Sequence, residues 1–338
     1  MQKNARPSIS VVIVVYSGSD LLRLVLANLA LQTIAHAIEV VLVTDSPEKL
    51  RPIPSDPHPF FSLTILETRT IRQTGAAKAL GVEAARAPLV MFLEDHSFPD
   101  PGCAQAMLER HRQQEVAAVG PLMLNANPSS PVSWGTFLVF YGPWTGKRLQ
   151  PQVHHLPANH SCYRREVLMA YGQQLADRLE VESVLHWDLI DSGERLYLDH
   201  RAKVYHLNFS SISPLVREYF LASRVFAANR AARWASLQRT IYAIGSALLP
   251  FLRWQRIVEQ ATDVQLEPQL LLRASPSLFL NLCAGAAGEM LGYLAGPGNA
   301  GERLVAFERQ KRSGYSPADV AAAARLVATF ASPEIRAA

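Results

Sequence analysis

The chain has 338 residues, 49% of them apolar and only 18% charged, so it must bury a sizeable core and is neither disordered nor a coiled coil. Its length suits roughly two units of ~150 residues, or one large α/β domain with an appendage. The excess of 33 Lys and Arg over 29 Asp and Glu is too small to argue for a nucleic-acid partner, and Cys103, Cys162 and Cys283 form no CxxC pair for thiolate zinc or a disulfide framework.

After MQKNARPSIS the chain enters a strand directly. The apolar run Val11–Tyr16 is shorter than the roughly 7–15 residues of an export segment, so a chain facing a reducing cytoplasm is expected. Ile9–Tyr16 is a continuous β-branched run, as in a strand covered on both faces. Ser17-Gly18-Ser19-Asp20 reads as a turn and N-cap, and Leu22, Leu26 and Leu29 give Leu21–Leu31 a helical period. Glu39–Thr44 is a second buried strand ending on Asp45, which completes a βαβ unit.

A Pro-rich loop leads to a strand at Leu63–Leu66, a small-residue helix at Gly75–Arg86 and a buried strand at Leu89–Leu93. That strand ends in Glu94-Asp95-His96, and a helix follows over Gly102–Gln114. Strands alternating with helices to about residue 124 predict a doubly wound, mostly parallel α/β sheet. Residues 125–157, rich in Pro, Gly and Trp and without a clear period, read as substrate-facing loops and a short mixed-sheet segment. Helices are expected at Arg164–Gly172 and Leu179–Ser192, and a strand pair at Leu196–Leu198 and Ala202–His206.

Beyond Pro214 the texture changes. Residues 214–253 hold six arginines against one acid, Glu218, interleaved with aromatics. Two apolar stretches follow, Ile241–Leu252 and Pro276–Gly296. Only the second approaches the ~20 residues of a bilayer crossing, and it contains Asn281 and Glu289. A basic segment beside apolar helices predicts contact with anionic lipid rather than nucleic acid.

Ligands of doubly wound sheets bind at the carboxyl ends of the strands, here Tyr16, Asp45 and Glu94-Asp95-His96. One glycine in the first turn argues against the GxGxxG of dinucleotide enzymes, and Gly142–Lys147 is one residue short of a phosphate-binding loop. Acid, acid and imidazole at a strand tip supply ligands for a divalent cation that neutralises a diphosphate. The plain structural alternative is that Glu94 or Asp95 caps the next helix.

The ordered set resembles a family 2 glycosyltransferase of the GT-A fold over roughly residues 8–210. Val14-Val15-Tyr16-Ser17 stands where that family has Pro-x-Tyr-Asn, and Thr44-Asp45 keeps one acid of its base-binding pair. Gly75 with Ala77-Lys78-Ala79-Leu80-Gly81 stands for Gly…Ala-Arg-Asn-x-Gly, and Glu94-Asp95-His96 for Asp-x-Asp. Asn159 with Tyr163-Arg164-Arg165-Glu166 resembles the acceptor-side segment, and Leu185–Leu189 the stretch that carries the catalytic base. Ala202–His206 ends on the histidine that often meets metal or phosphate in the family.

The resemblance implies a GT-A domain over 1–210 and a basic, apolar helical region over 211–338. It implies an inverting, metal-dependent transfer from a nucleotide-diphosphate sugar to a saccharide or lipid-linked acceptor, in polysaccharide or glycolipid synthesis, at the inner face of the cell membrane. Tyr16, Asp45, Lys78, Glu94 and Asp95 would bind the donor, and Asp95, His96 and His206 the Mn2+ or Mg2+. His96 favours Mn2+, because imidazole suits it better. Glu182, His186 or Asp188 would be the base, with Glu182 orienting His186 from one helical turn away. Each has a structural alternative: solvated carboxylates, a packed His186, a surface Lys78, and His154, His155 and His160 as ordinary loop histidines. The competing functions are a catalytically degenerate sugar-nucleotide-binding module at the membrane surface and a nucleotidyltransferase.

Overall fold

The computed structural model describes residues 6–16, 20–50, 58–146, 151–157 and 159–332. The Ser17–Ser19 turn and much of the Pro-rich loop expected from the sequence lie outside them. In chain order, β1 (Ile9–Val15), α1 (Asp20–Leu29), β2 (Ile38–Thr44), β3 (Ser62–Glu67), α2 (Thr74–Ala84) and β4 (Leu89–Phe92) form the first half of a sheet. Then come β5 (Ser97–Pro99), α3 (Cys103–Gln113), β6 (Ala118–Asn125), α4 (Pro131–Tyr141), β7 (Cys162–Arg164), α5 (Arg165–Met169), α6 (Leu175–Glu180), α7 (Glu182–Asp191) and β8 (Leu196–His206). The remainder is helical: α8 (Ile212–Arg230), α9 (Ser236–Gly245), α10 (Leu249–Asp263), α11 (Pro268–Ala295), α12 (Ala300–Glu308) and α13 (Pro317–Phe330).

The chain divides into two compact units. One comprises residues 1–124, 150–206 and 321–338, and the other residues 125–149 and 207–320. Residues 125–149 thus group with the helical unit and residues 321–338 with the sheet unit, whereas the sequence suggested one division near residue 210. Residues 125–149 are also not simply loops. Their sequence PVSWGTFLVFY is apolar on every side, so helix α4 carries no period, although Ser130 as N-cap and Pro131 at its first turn announce it.

The sheet of the first unit has eight strands in the order β3-β2-β1-β4-β7-β6-β8-β5. β1 pairs in parallel with β2 and β4, and β2 with β3, whereas β7 runs antiparallel to β4 and to β6, and β5 antiparallel to β8. The β-branched runs of β1 and β2 are buried on both faces, as their sequences predict. The pair of short strands expected at 196–206 is one eleven-residue strand, β8. Its polar middle holds because buried Asp199 accepts from Arg110 Nε and from Arg201, both at 2.9 Å.

One buried carboxylate ties β1, β2 and the end of α2 together. Glu39 on β2 accepts from Ser10 Oγ at 2.5 Å, Arg86 N at 2.8 Å and Arg86 Nε at 2.5 Å. Burial would raise its pKa, but these donors outweigh it and hold the carboxyl below its ordinary 4.5. Glu39→Gln is expected to lower unfolding stability at neutral pH by about 1–3 kcal/mol. Because the folded pKa is depressed, that advantage is present above pH 4.5 and fades as pH falls through the folded value. Urea unfolding of both proteins across that range checks it.

Candidate active site and metal centre

The carboxyl ends of β1, β2 and β4 carry the polar groups the sequence led us to expect there. Tyr16 follows β1, and its hydroxyl shares a 2.6 Å hydrogen bond with Thr74 Oγ1 at the start of α2. Asp45 follows β2 and accepts from the Ile71 amide at 2.8 Å. Both side chains brace the segment that leads into α2. Gly75 at the head of α2 lies so close to α6 that a Cβ would strike the Ala176 carbonyl and the Glu180 backbone, and its amide donates to Glu180 Oε2 at 2.7 Å.

After β4 the chain turns through Glu94, Asp95 and His96 into β5, whose Ser97 pairs with His206 at the end of β8. This antiparallel register places His96 and His206 side by side, with ring centroids 4.8 Å apart. On the other flank, β4 pairs with β7, and the buried loop before β7 brings in His160, its ring centroid 5.8 Å from that of His206. Glu94 Oε2 stands 3.1 Å from His206 Nε2, 3.4 Å from His160 Nε2 and 3.7 Å from His96 Nε2. Burial alone would raise the Glu94 carboxyl, but His96, His206 and His160 together hold it well below the usual carboxylate range.

The other oxygen of Glu94 accepts from Asn159 Nδ2 at 2.8 Å. Asn159 is one of two non-glycine residues with positive φ among the described residues, at 66°, a conformation asparagine tolerates better than most. Its Oδ1 accepts from Lys78 Nζ, which also pairs with Glu182. Lys78 is thus a buried link, 5% exposed, between Glu94 and α7 rather than a surface lysine.

Ligand atoms held about 2.1 Å from one ion stand up to about 4 Å apart. Those of Glu94, His96 and His206 lie within 4.8 Å of one another, so small side-chain shifts would close them on a cation. Asp95, expected among the ligands, instead places Oδ1 2.9 Å from His96 Nδ1. That contact orients the ring and leaves Nε2 facing Glu94, the usual task of a carboxylate behind a ligating histidine. The sequence pointed to this strand tip with Asp95 as a ligand, whereas the ligand atoms that cluster here are those of Glu94, His96 and His206.

Residues 10–172 match the family model for glycosyl transferase family 2. Just under half of the chain is thus similar to glycosyl transferase family 2. The matched segment lies largely in the mixed sheet with alternating helices described above. A crystal structure of GalNAc-T7 with UDP, GalNAc and Mn2+ superposes with a TM-score of 0.45 at 12% identity. The superposition covers 69% of this chain and 51% of that one, so the chain spans about half that protein's length. No curated protein matches the chain. The family 2 match includes Tyr16, Asp45, Lys78 and Glu94-Asp95-His96, and it stops before α7 and His206.

The three candidate bases on α7 have different fates. His186 is fully buried, and its Nδ1 accepts from the Leu156 amide at 3.3 Å. With that lone pair taken, the neutral ring carries its proton on Nε2, which donates to Tyr163 Oη at 2.7 Å. Burial pushes its pKa down to about 3. His186 is therefore a fixture of the core, and the expected Glu182–His186 pair is replaced by Glu182–Lys78 and His186–Tyr163. Asp188 is partly exposed and pairs with Arg178. Glu182 alone of the three is joined, through Lys78 and Asn159, to Glu94.

Among the loop histidines, His154 and His155 are exposed, whereas His160 is fully buried with Nε2 2.8 Å from Ser97 Oγ. The sequence grouped His160 with His154 and His155, close enough to suggest a metal but read as ordinary loop histidines; of the three only His160 is buried beside Glu94. The geometry predicts Mn2+ binding, measured by calorimetry, that His206→Ala abolishes. Asp95→Asn, which removes only the orienting contact, should cost about 10–100-fold. Equal loss in both variants would place Asp95 among the ligands.

Proposed function

We propose that the protein is an inverting glycosyltransferase that moves a sugar from a nucleotide-diphosphate donor to an acceptor hydroxyl, with a divalent cation held by Glu94, His96 and His206. The observation that carries this reading is the cluster of buried imidazoles around one partly buried carboxylate at the carboxyl end of β4, inside a family 2 domain. A cation bound there supplies positive charge to the departing diphosphate. A carboxylate with two imidazoles is also a donor set that suits Mn2+ better than Mg2+.

The chain's own groups take the remaining roles. Tyr16 and Asp45, at the ends of neighbouring parallel strands, line the place where a doubly wound sheet receives a nucleoside. Lys78 holds Asn159 and Glu182 in position and adds a positive charge behind Glu94. Inversion needs a base to take the acceptor's proton as its oxygen bonds the anomeric carbon and the bond from that carbon to the diphosphate breaks. Glu182 is assigned that task, because it is the α7 carboxylate linked to the cation site.

Titration with UDP and GDP, with and without Mn2+, tests the donor and cation assignments, and turnover of the matching nucleotide sugars tests the base. Metal-dependent binding of a diphosphate is expected, lost in Glu94→Gln. Glu182→Gln is expected to keep that binding and lower turnover about 10²–10⁴-fold. Asp188→Asn should leave turnover near the parent value. Absence of diphosphate binding under every metal overturns the reading, while full turnover in Glu182→Gln overturns only the base.

A further inference from the structure

The helical unit is organised around α11, which packs on α8. Gly288 and Gly292 of α11 meet the Phe220 and Arg224 carbonyls of α8 so closely that a Cβ at either position would collide with them. α11 is long and apolar enough to cross a membrane, but half of its most apolar stretch is buried inside the protein. Asn281 is fully buried and Glu289 is 3% exposed, the latter paired with Arg253 of α10. A crossing would strip α11 from α8 and expose this ion pair to hydrocarbon, at a cost of several kcal/mol. One side of α11 is therefore spent within the unit.

Much apolar surface remains exposed on α9, α10 and the outer side of α11. Of sixteen exposed large apolar side chains among the described residues, twelve fall between Leu237 and Leu294. Leu237, Ile241, Ile244 and Leu248 recur at helical spacing along α9 and the turn after it, with exposures of 73%, 58%, 70% and 61%. Phe251, 65% exposed at the start of α10, continues the stripe and meets Phe279 of α11 edge-on at 5.9 Å. Monomeric soluble proteins seldom leave so many large apolar side chains together in water. The same segment is one-sided in charge: residues 233–256 contain four arginines and no acid. Arg233 and Arg256 are exposed, whereas Arg253 is spent on Glu289.

We infer that the α9–α10 face is a membrane-docking surface that lies in the headgroup region of anionic lipid. Its apolar stripe would enter the acyl boundary, with Arg233 and Arg256 on the phosphates. Charge decides the occupant. A second copy of this chain would set its own arginines against these, whereas an anionic bilayer complements them. The inference does not depend on the donor, the metal or the base.

Co-sedimentation of the full chain with vesicles of 7:3 phosphatidylcholine and phosphatidylglycerol tests it, with pure phosphatidylcholine vesicles and light-scattering mass in parallel. The parent protein is expected to bind the anionic vesicles and to bind phosphatidylcholine more weakly. The exposed pair Leu237→Ser and Ile244→Ser should cut binding at least about tenfold without changing the melting temperature. Arg233→Gln with Arg256→Gln should remove the preference for anionic lipid. Failure of the parent to bind either vesicle overturns the inference. So does a dimer in solution that the serine pair dissociates, which would identify the occupant as a second copy.

Discussion

A carboxylate drawn partly out of water needs partners, and at Glu94 the compensation falls to three imidazoles and an amide. The geometry of the site follows from that demand. His96 reaches Glu94 from the same turn, His206 from the far end of β8 through the β5–β8 pairing, and His160 from the loop that β7 pins against β4. Asn159 accepts a left-handed backbone to set its amide between Glu94 and Lys78. Lys78, buried on α2, in turn needs Glu182. One chain of charge compensation thus runs from the strand tips to α7, joining the Glu94 cluster to Glu182 through Asn159 and Lys78.

Much of this frame was legible in the sequence because burial on both faces leaves a plain mark. β1, β2 and β4 are continuous apolar runs, and their carboxyl ends name Tyr16, Asp45 and Glu94-Asp95-His96 directly. The rest depended on information that local patterns lack. Glu94 rather than Asp95 faces His206 because of how the turn enters β5, a three-residue strand ending in proline that no periodicity reveals. Asp199 and Arg201 looked like a turn because their ionic partners are remote in sequence or were not evident. Glu182 and His186 share a helical face by spacing, yet each is claimed by a different neighbour, Lys78 and Tyr163. Helix α4 escaped notice for the opposite reason, since a segment apolar all round has no amphipathic period.

The helical unit shows why apolar content alone could not separate core from membrane surface. α11 is its most apolar long helix, and half of its most apolar stretch is buried, with glycines permitting close contact with α8. α9 is shorter, and it keeps its leucine and isoleucine stripe in the open. Length and hydropathy mark the first as a candidate span, whereas exposure together with the absence of acids between residues 233 and 256 marks the second as the surface seeking a partner.

The central claim is that Glu94 with His96 and His206 holds a divalent cation, with Asp95 behind it. Anomalous diffraction from a crystal grown with Mn2+ and a nucleoside diphosphate tests it most directly. The account predicts a single strong peak bonded to Glu94, His96 and His206, with Asp95 still on His96 Nδ1. A peak coordinated by Asp95 without Glu94, or a diphosphate bound with no peak at these residues, would contradict it.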